Sequence, residues 1–255
     1  LEEQNLHADY EKISYLLFCL LANLMEHISA QLAAAQQSID EAARRAGRPP
    51  SAVRLVAVSK RHPATAVAAA AAAGQTIFGE SRVQEAREKI PQCPAGLKWH
   101  YIGHLQKNKI RQALPLFDFF HSIDSEALAR GLDRVAGETG RTVEGLLEVN
   151  IAGEESKFGF RPEELRSAWT TLAALPHLRI RGLMTMAPYS ENPEDARPVF
   201  RALRVLRDEL QASSGRPLEE LSMGMSGDFA AAIEEGATLV RLGTSIFGTR
   251  PNDPA

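Results

Sequence analysis

Apolar runs and helical-period stretches alternate along most of this chain. Strand-like runs fall at 53–59, 75–79, 98–102, 117–122, 143–150, 178–186, 219–223 and 238–243. Between them, apolar positions recur at helical spacing over 63–73, 81–90, 105–114, 125–139, 162–175, 193–213 and 227–235, and a short helix is expected after 243. A further amphipathic pattern opens at Met25 and continues through Ile28, Leu32, Ala35 and Ile39 to residue 46. Strands that alternate with helices imply a parallel sheet with crossover helices. Eight such units in a chain of this length predict an α/β fold, a single (β/α)8 TIM-type barrel with an additional N-terminal helix. An open doubly wound sheet is the competing arrangement. That fold normally carries a glycine-rich turn after its first strand, whereas here the first strand ends in Ser59-Lys60-Arg61.

The segment before Met25 does not share the pattern. Tyr15 to Leu24 is apolar but too short to span a bilayer. Glu2, Glu3, Asp9 and Glu11 precede it, so the basic start of a secretory signal is missing. The expected organisation is an N-terminal extension at 1–24, foreign to the body, with Met25 as the natural start. A barrel over 25–250 and a tail at 251–255 follow. An accessory helix that packs on the body is the alternative for 1–24. Composition refines this only slightly. The chain is 44% hydrophobic and 24% charged, an ordinary globular balance. A net charge of −3 argues against a nucleic-acid footprint. Cys19 and Cys93 offer neither metal-site spacing nor a disulfide framework, which fits a cytoplasmic protein. Neither a membrane nor a metal is expected.

Chemistry in such a barrel gathers at the carboxyl ends of the strands. The run Val53 to Ser59 delivers Lys60 to one of these ends. Burial there would lower the amine's pKa and free it as a nucleophile toward an aldehyde. The same lysine also fits a side chain that merely reaches into water. Two other ends look made for an anion. Ser222-Met223-Gly224-Met225-Ser226-Gly227-Asp228 runs into a helix, and Gly243-Thr244-Ser245 starts the last one. Small residues there let backbone N–H groups and hydroxyls reach a phosphate at a helix N-terminus. Helix capping alone also accounts for either turn. The first and last strands adjoin in a closed barrel, so an amine and a phosphate site would be neighbours. That pairing suits a phosphorylated aldehyde, and pyridoxal 5′-phosphate fits. Arg241, two residues before Gly243, can point into the same mouth, or form an ion pair inside the barrel.

Several segments then carry a resemblance. LVAVSK (55–60), IFGESRVQE (77–85), WHYIGHLQKNK (99–109), HSID (121–124), EVNIAGEESKFGF (148–160), GLMTM (182–186), LSMGMSGDF (221–229) and VRLGTSIFG (240–248) occur in order. Together they resemble the pyridoxal phosphate homeostasis proteins, single-domain relatives of the alanine racemase barrel. The resemblance implies Lys60 as the Schiff-base lysine. It implies Ser226, Gly243 and Thr244 at the phosphate, and Arg241 near the pyridine nitrogen. By position it brings Met223, Ser122 and His104 to the pocket. Two departures stand out. The family usually has asparagine where this chain has Ser81, and Lys107 replaces a small polar residue.

The resemblance implies a carrier or buffer in intracellular vitamin B6 and amino-acid homeostasis that holds pyridoxal 5′-phosphate as an internal aldimine. Apo-enzymes that need the cofactor are the expected recipients, and a monomer is expected rather than an obligate dimer. The alternative is a pyridoxal-phosphate-dependent amino-acid racemase of low activity. Racemases of this barrel add a β-rich domain that supplies a second base, and only five residues follow position 250 here. A base for the second face would have to be His104 or Tyr189. An aldolase-type use of Lys60 on a phosphorylated sugar is a third reading. It would leave the protein colourless.

Overall fold

A computed structural model describes residues 2–249, with side chains from residue 22 onward; the expected tail at 251–255 lies outside the described residues. Eight parallel strands close into one barrel in chain order. They are β1 (Arg54–Val58), β2 (Ile77–Glu80), β3 (Lys98–Tyr101), β4 (Phe119–Ile123), β5 (Val143–Glu148), β6 (Leu178–Met184), β7 (Glu220–Ser222) and β8 (Leu239–Leu242). Closure comes from β1 against β8, in a register that runs from Arg54 opposite Leu239 to Ala57 opposite Leu242. All eight predicted strands are present.

The helices are α1 (Glu2–Arg45), α2 (Ala64–Ala72), α3 (Val83–Lys89), α4 (Ile110–Ala113), α5 (Glu126–Glu138), α6 (Pro162–Ala173), α7 (Arg197–Ser214), α8 (Phe229–Glu234) and α9 (Thr244–Phe247). Local chemistry sets their limits. Pro63 precedes α2 with extended backbone. Ser125 caps α5 by accepting from the Leu128 amide. Gly215, left-handed at φ 66°, ends α7. Two predicted helices are broken at their starts. A 3-10 turn at Lys107–Lys109 leads into α4, and another at Pro193–Ala196 leads into α7.

The N-terminal helix differs from the sequence expectation. It does not begin at Met25 but runs unbroken from Glu2 to Arg45. No proline or glycine interrupts that stretch, so nothing local stops the helix. Among the described side chains, α1 is anchored through Ile28, Leu32, Ala35, Ile39, Ala42 and Ala43, all buried. From Ile28 to Ile39 they recur every three to four residues, and Ala42 and Ala43 lie three and four beyond, which forms one stripe on a helix that packs against α2, α8 and α9. Among the described residues, no helix is long and apolar enough to cross a membrane.

The core has two compartments. A large one lies between the strands and the helical ring, and a small one inside the barrel joins Val56, Leu146, Met184 and Leu239. Successive side chains on a strand point to opposite faces. A residue's parity therefore decides whether it enters the barrel or the helical layer. The close approach of β6 to β7 depends on Gly182, where an added Cβ would lie 1.8 Å from the Glu220 carbonyl oxygen.

Candidate functional site

A pocket of about 430 Å³ opens at the carboxyl ends of the strands. Its wall is built mainly from one arc of the barrel. Lys60 follows β1, and Met186 to Ser190 with Asn192 and Pro193 follow β6. Met225 to Asp228 follow β7, Arg241 lies in β8, and Gly243 and Thr244 follow it. Lys60, Ser226, Arg241, Gly243 and Thr244, five of the eight expected site residues, line this one cavity.

The two small-residue turns meet there. Ser226 Oγ and Ser245 Oγ lie 3.2 Å apart, joining the β7 turn to the start of α9. The Thr244 and Ser245 amides open a helix and so lack intrahelical acceptors. Asp228 Oδ1 accepts from the Met225 amide at 2.6 Å and closes the first turn. Gly224 makes that turn possible. Its φ is +92°, and an added Cβ would fall 2.7 Å from the Ala232 Cβ. The Arg241 amide donates to the Gly224 carbonyl at 3.0 Å, tying β8 to the same turn. Serine hydroxyls, helix-start amides, a lysine amine and an arginine form a donor set suited to a phosphorylated carbonyl compound.

Arg241 sits deeper, with its side chain inside the barrel. Nη1 donates to Ser222 Oγ, and Nη2 donates to the Thr185 carbonyl at 3.0 Å. Burial pulls the guanidinium down to about 10, against the pull of Glu148 and Asp228, so it stays charged at neutral pH. Behind it runs a buried polar chain. Ser222 Oγ is 2.8 Å from His121 Nδ1, and His121 Nε2 is 2.9 Å from His100 Nδ1. Burial holds His121 well below its usual range and His100 at about 4, so both rings are neutral. Arg241 can only donate, so Ser222 Oγ must accept from it. Neutral His121 carries one N–H, so it bridges Ser222 and His100 by donating to one and accepting from the other. Ser222 and the Thr185 carbonyl together hold the guanidinium in place.

Glu148 ends β5 beside this chain. Burial, with Asp124 nearby, raises its carboxyl to about 7, while Arg241 and His104 pull it back. At the outer edge, Tyr189 is 93% exposed and hangs over the pocket from the loop after β6.

The other three expected residues are outside the pocket lining. Met223 is fully buried in the layer between strands and helices. Strand parity explains this, because its neighbour Ser222 takes the inward position. Ser122 Oγ donates to the Gly103 carbonyl. His104 Nδ1 bonds Asp124 Oδ2 at 2.6 Å, and its ring stacks on Phe158 at 3.8 Å between centroids. Ser122 and His104 belong to the β3–β4 side of the barrel, away from the β8–β1 seam. Ser81 also stays out of the pocket, and its carbonyl accepts from the Tyr101 hydroxyl at 3.3 Å. Sequence reasoning missed Thr185, His121 and His100, and read Ser222 as part of the anion turn rather than as a partner of Arg241. Inward parity carried across adjacent strands was the signal that could have found them.

Known proteins agree with this architecture. The family described as "Alanine racemase, N-terminal domain" matches residues 30–251. A pyridoxal phosphate homeostasis protein of Aquifex aeolicus is 42% identical over 229 residues, covering 89% of this chain and 99% of that protein. Another, from Escherichia coli K12, is 41% identical over 236 residues, 89% of this chain and 98% of that protein. Among solved structures, PipY of Synechococcus elongatus with pyridoxal phosphate bound superposes with a TM-score of 0.75 at 43% identity. It spans 87% of this chain and 100% of its own. Alanine racemase of Corynebacterium glutamicum, 19% identical with a TM-score of 0.68, shares the fold; the match covers 91% of this chain and 63% of that enzyme. With eight strands closed as in that barrel and 41–42% identity over 89% of its length, the chain belongs to the pyridoxal phosphate homeostasis protein family, within the alanine racemase N-terminal domain family.

Proposed function

We propose that this protein binds pyridoxal 5′-phosphate in the pocket at the β6–β8 and β1 strand ends and serves as its carrier. One observation carries the reading. A strand-end lysine, two hydroxyl-bearing turns and a buried arginine line a single cavity of about 430 Å³. Volumes of that order suit a small cofactor. The bound group supplies an aldehyde that a lysine amine can hold covalently.

Lys60 would be the residue that holds the aldehyde, through its amine. Ser226, Thr244 and the amides around Gly243 would take the phosphate. Arg241 would lie on the side of the pyridine nitrogen. Fixed by Ser222 and the Thr185 carbonyl, it keeps a positive charge there and disfavours protonation of the ring. A ring kept unprotonated is a poor electron sink, which suits holding the cofactor better than turning over amino acids. The pocket opens to solvent past Tyr189, which gives the cofactor a route out toward apo-enzymes.

The test is spectroscopic. Wild-type protein supplied with pyridoxal 5′-phosphate should show a visible band, and borohydride should fix the label to the Lys60 peptide. Lys60→Ala should lose both. A band and label that persist in that variant would move the attachment elsewhere. Loaded wild type should also activate an apo-enzyme that needs the cofactor, and failure of that transfer would remove the carrier role.

A further inference from the structure

Beside the Lys60 turn lies a buried ionic cluster whose residues are not among those lining the pocket. Lys89, the last residue of α3, points inward and is 7% exposed. Its ammonium donates to Glu80 Oε1 at 2.8 Å, to Glu85 Oε1 at 2.7 Å and to the Ser59 carbonyl at 2.9 Å. Glu80 is fully buried at the end of β2 and also accepts from Ser59 Oγ at 2.7 Å. Its second oxygen, Oε2, is buried without a hydrogen-bond partner. Burial raises the Glu80 carboxyl above its usual range, and Lys89 pulls it back. Glu85 Oε1 accepts the Arg61 amide at 2.5 Å.

Such a cluster is a costly way to pack a helix on a strand. Removing three charges from water offsets much of their mutual attraction, and apolar side chains would do the packing at least as well. An apolar side chain cannot, however, bind a carbonyl and an amide. The two backbone groups bound here, the Ser59 carbonyl and the Arg61 amide, flank Lys60. The turn they belong to is also strained. Arg61, at φ 67°, is the one non-glycine residue with positive φ among the described residues. A side chain in that region carries a steric cost and persists only where its surroundings hold it.

We propose that Lys89, clamped between Glu80 and Glu85, is a positioning residue that holds the Ser59-Lys60-Arg61 turn so that the Lys60 amine is presented to the pocket. The inference rests on the reading of Lys60 as the covalent attachment point. It adds three residues that do not line the pocket. Lys89 fastens the peptide on one side of Lys60, and Glu85 fastens the peptide on the other. Glu80 locks Lys89 and Ser59 together from below. Without the clamp, Arg61 relaxes toward negative φ and the Lys60 side chain swings away from its approach to the aldehyde. The phosphate turns on β7 and β8 are untouched.

The experiment separates attachment from binding in the full-length protein. Pyridoxine 5′-phosphate carries the phosphate and ring but an alcohol in place of the aldehyde, so it reports the pocket alone. Covalent attachment of pyridoxal 5′-phosphate is followed by borohydride trapping at timed intervals, with the Lys60 peptide quantified. Lys89→Met and Glu85→Ala should bind pyridoxine 5′-phosphate within about threefold of wild type. Attachment should slow at least about tenfold, because displacing a reacting group by about 1 Å is enough for that loss. Adding Arg61→Gly to Glu85→Ala should recover part of the rate, since glycine adopts positive φ without steric cost. Glu85 is partly exposed, so its variant keeps the test alive if Lys89→Met does not fold. Equal losses of binding and attachment, or an unchanged attachment rate, would overturn the proposal. If wild type itself is not labelled at Lys60, the attachment reading fails and takes this inference with it.

Discussion

Removing the two hydroxyls expected at the phosphate should weaken pyridoxal 5′-phosphate selectively. The perturbation is Ser226→Ala with Thr244→Ala. Both residues line the pocket, and Ser226 reaches the second turn through Ser245 at 3.2 Å. Hydrogen bonds to an ionised partner contribute about 1.5–3 kcal/mol each when shielded from water. Here Ser226 is half-buried and Thr244 exposed, so about 1–2 kcal/mol for each is the appropriate scale. The pair then contributes about 2–4 kcal/mol, or roughly 30- to 700-fold in affinity at 1.4 kcal/mol per decade. The assay is an equilibrium titration of wild type and double variant with pyridoxal 5′-phosphate and with unphosphorylated pyridoxal, at fixed salt. Pyridoxal has no phosphate to lose, so its affinity should change by less than about threefold. Both proteins should keep the same thermal midpoint without ligand, because neither hydroxyl caps a helix in this structure. Equal weakening of both ligands would refute the reasoning and place the phosphate on another part of the mouth.

Two further expectations concern stability. Glu148 has its carboxyl raised from 4.5 to about 7 by burial. The folded chain therefore holds that proton more tightly than the unfolded one, and stability from this group falls as pH rises from about 4.5 through about 7. Without ligand, Glu148→Gln should match wild type near pH 4.5 and exceed it at pH 8 by up to about 3 kcal/mol, measured by urea unfolding; equal pH slopes in the two proteins would contradict this. A chain that begins at Met25 should retain the thermal midpoint and the pyridoxal 5′-phosphate band, because it keeps the buried stripe of α1 from Ile28 to Ala43, the first buried residues among the described side chains; aggregation or loss of the band would make the earlier turns an integral part of the body.

Much of the architecture was legible in the residue pattern. Strand and helix runs alternate with little interruption, and eight units in this length leave few ways to close. Lys60, Ser226, Arg241, Gly243 and Thr244 could be grouped before any coordinates, because closure makes the last strands neighbours of the first. The start of α1 was harder to read. A proline or glycine would mark a helix boundary locally, and neither occurs between Glu2 and Arg45; Asn23 offers a cap residue, yet the helix runs through it.

What the chain alone determined was therefore order, type and the strand-end chemistry. Which way each side chain points was decided by the tertiary structure. Strands buried on both faces read as continuous apolar runs, with no alternation to set their phase. Met223 and Ser222 look equivalent in the sequence, yet one fills the helical layer and the other holds Arg241 inside the barrel. The chain from His100 through His121 and Ser222 to Arg241 draws on four strands. The Lys89 clamp joins a helix end to a turn 30 residues earlier. Hydrogen-bond partners so far apart in sequence leave no local trace, because strand pairing and packing across the barrel bring them within reach.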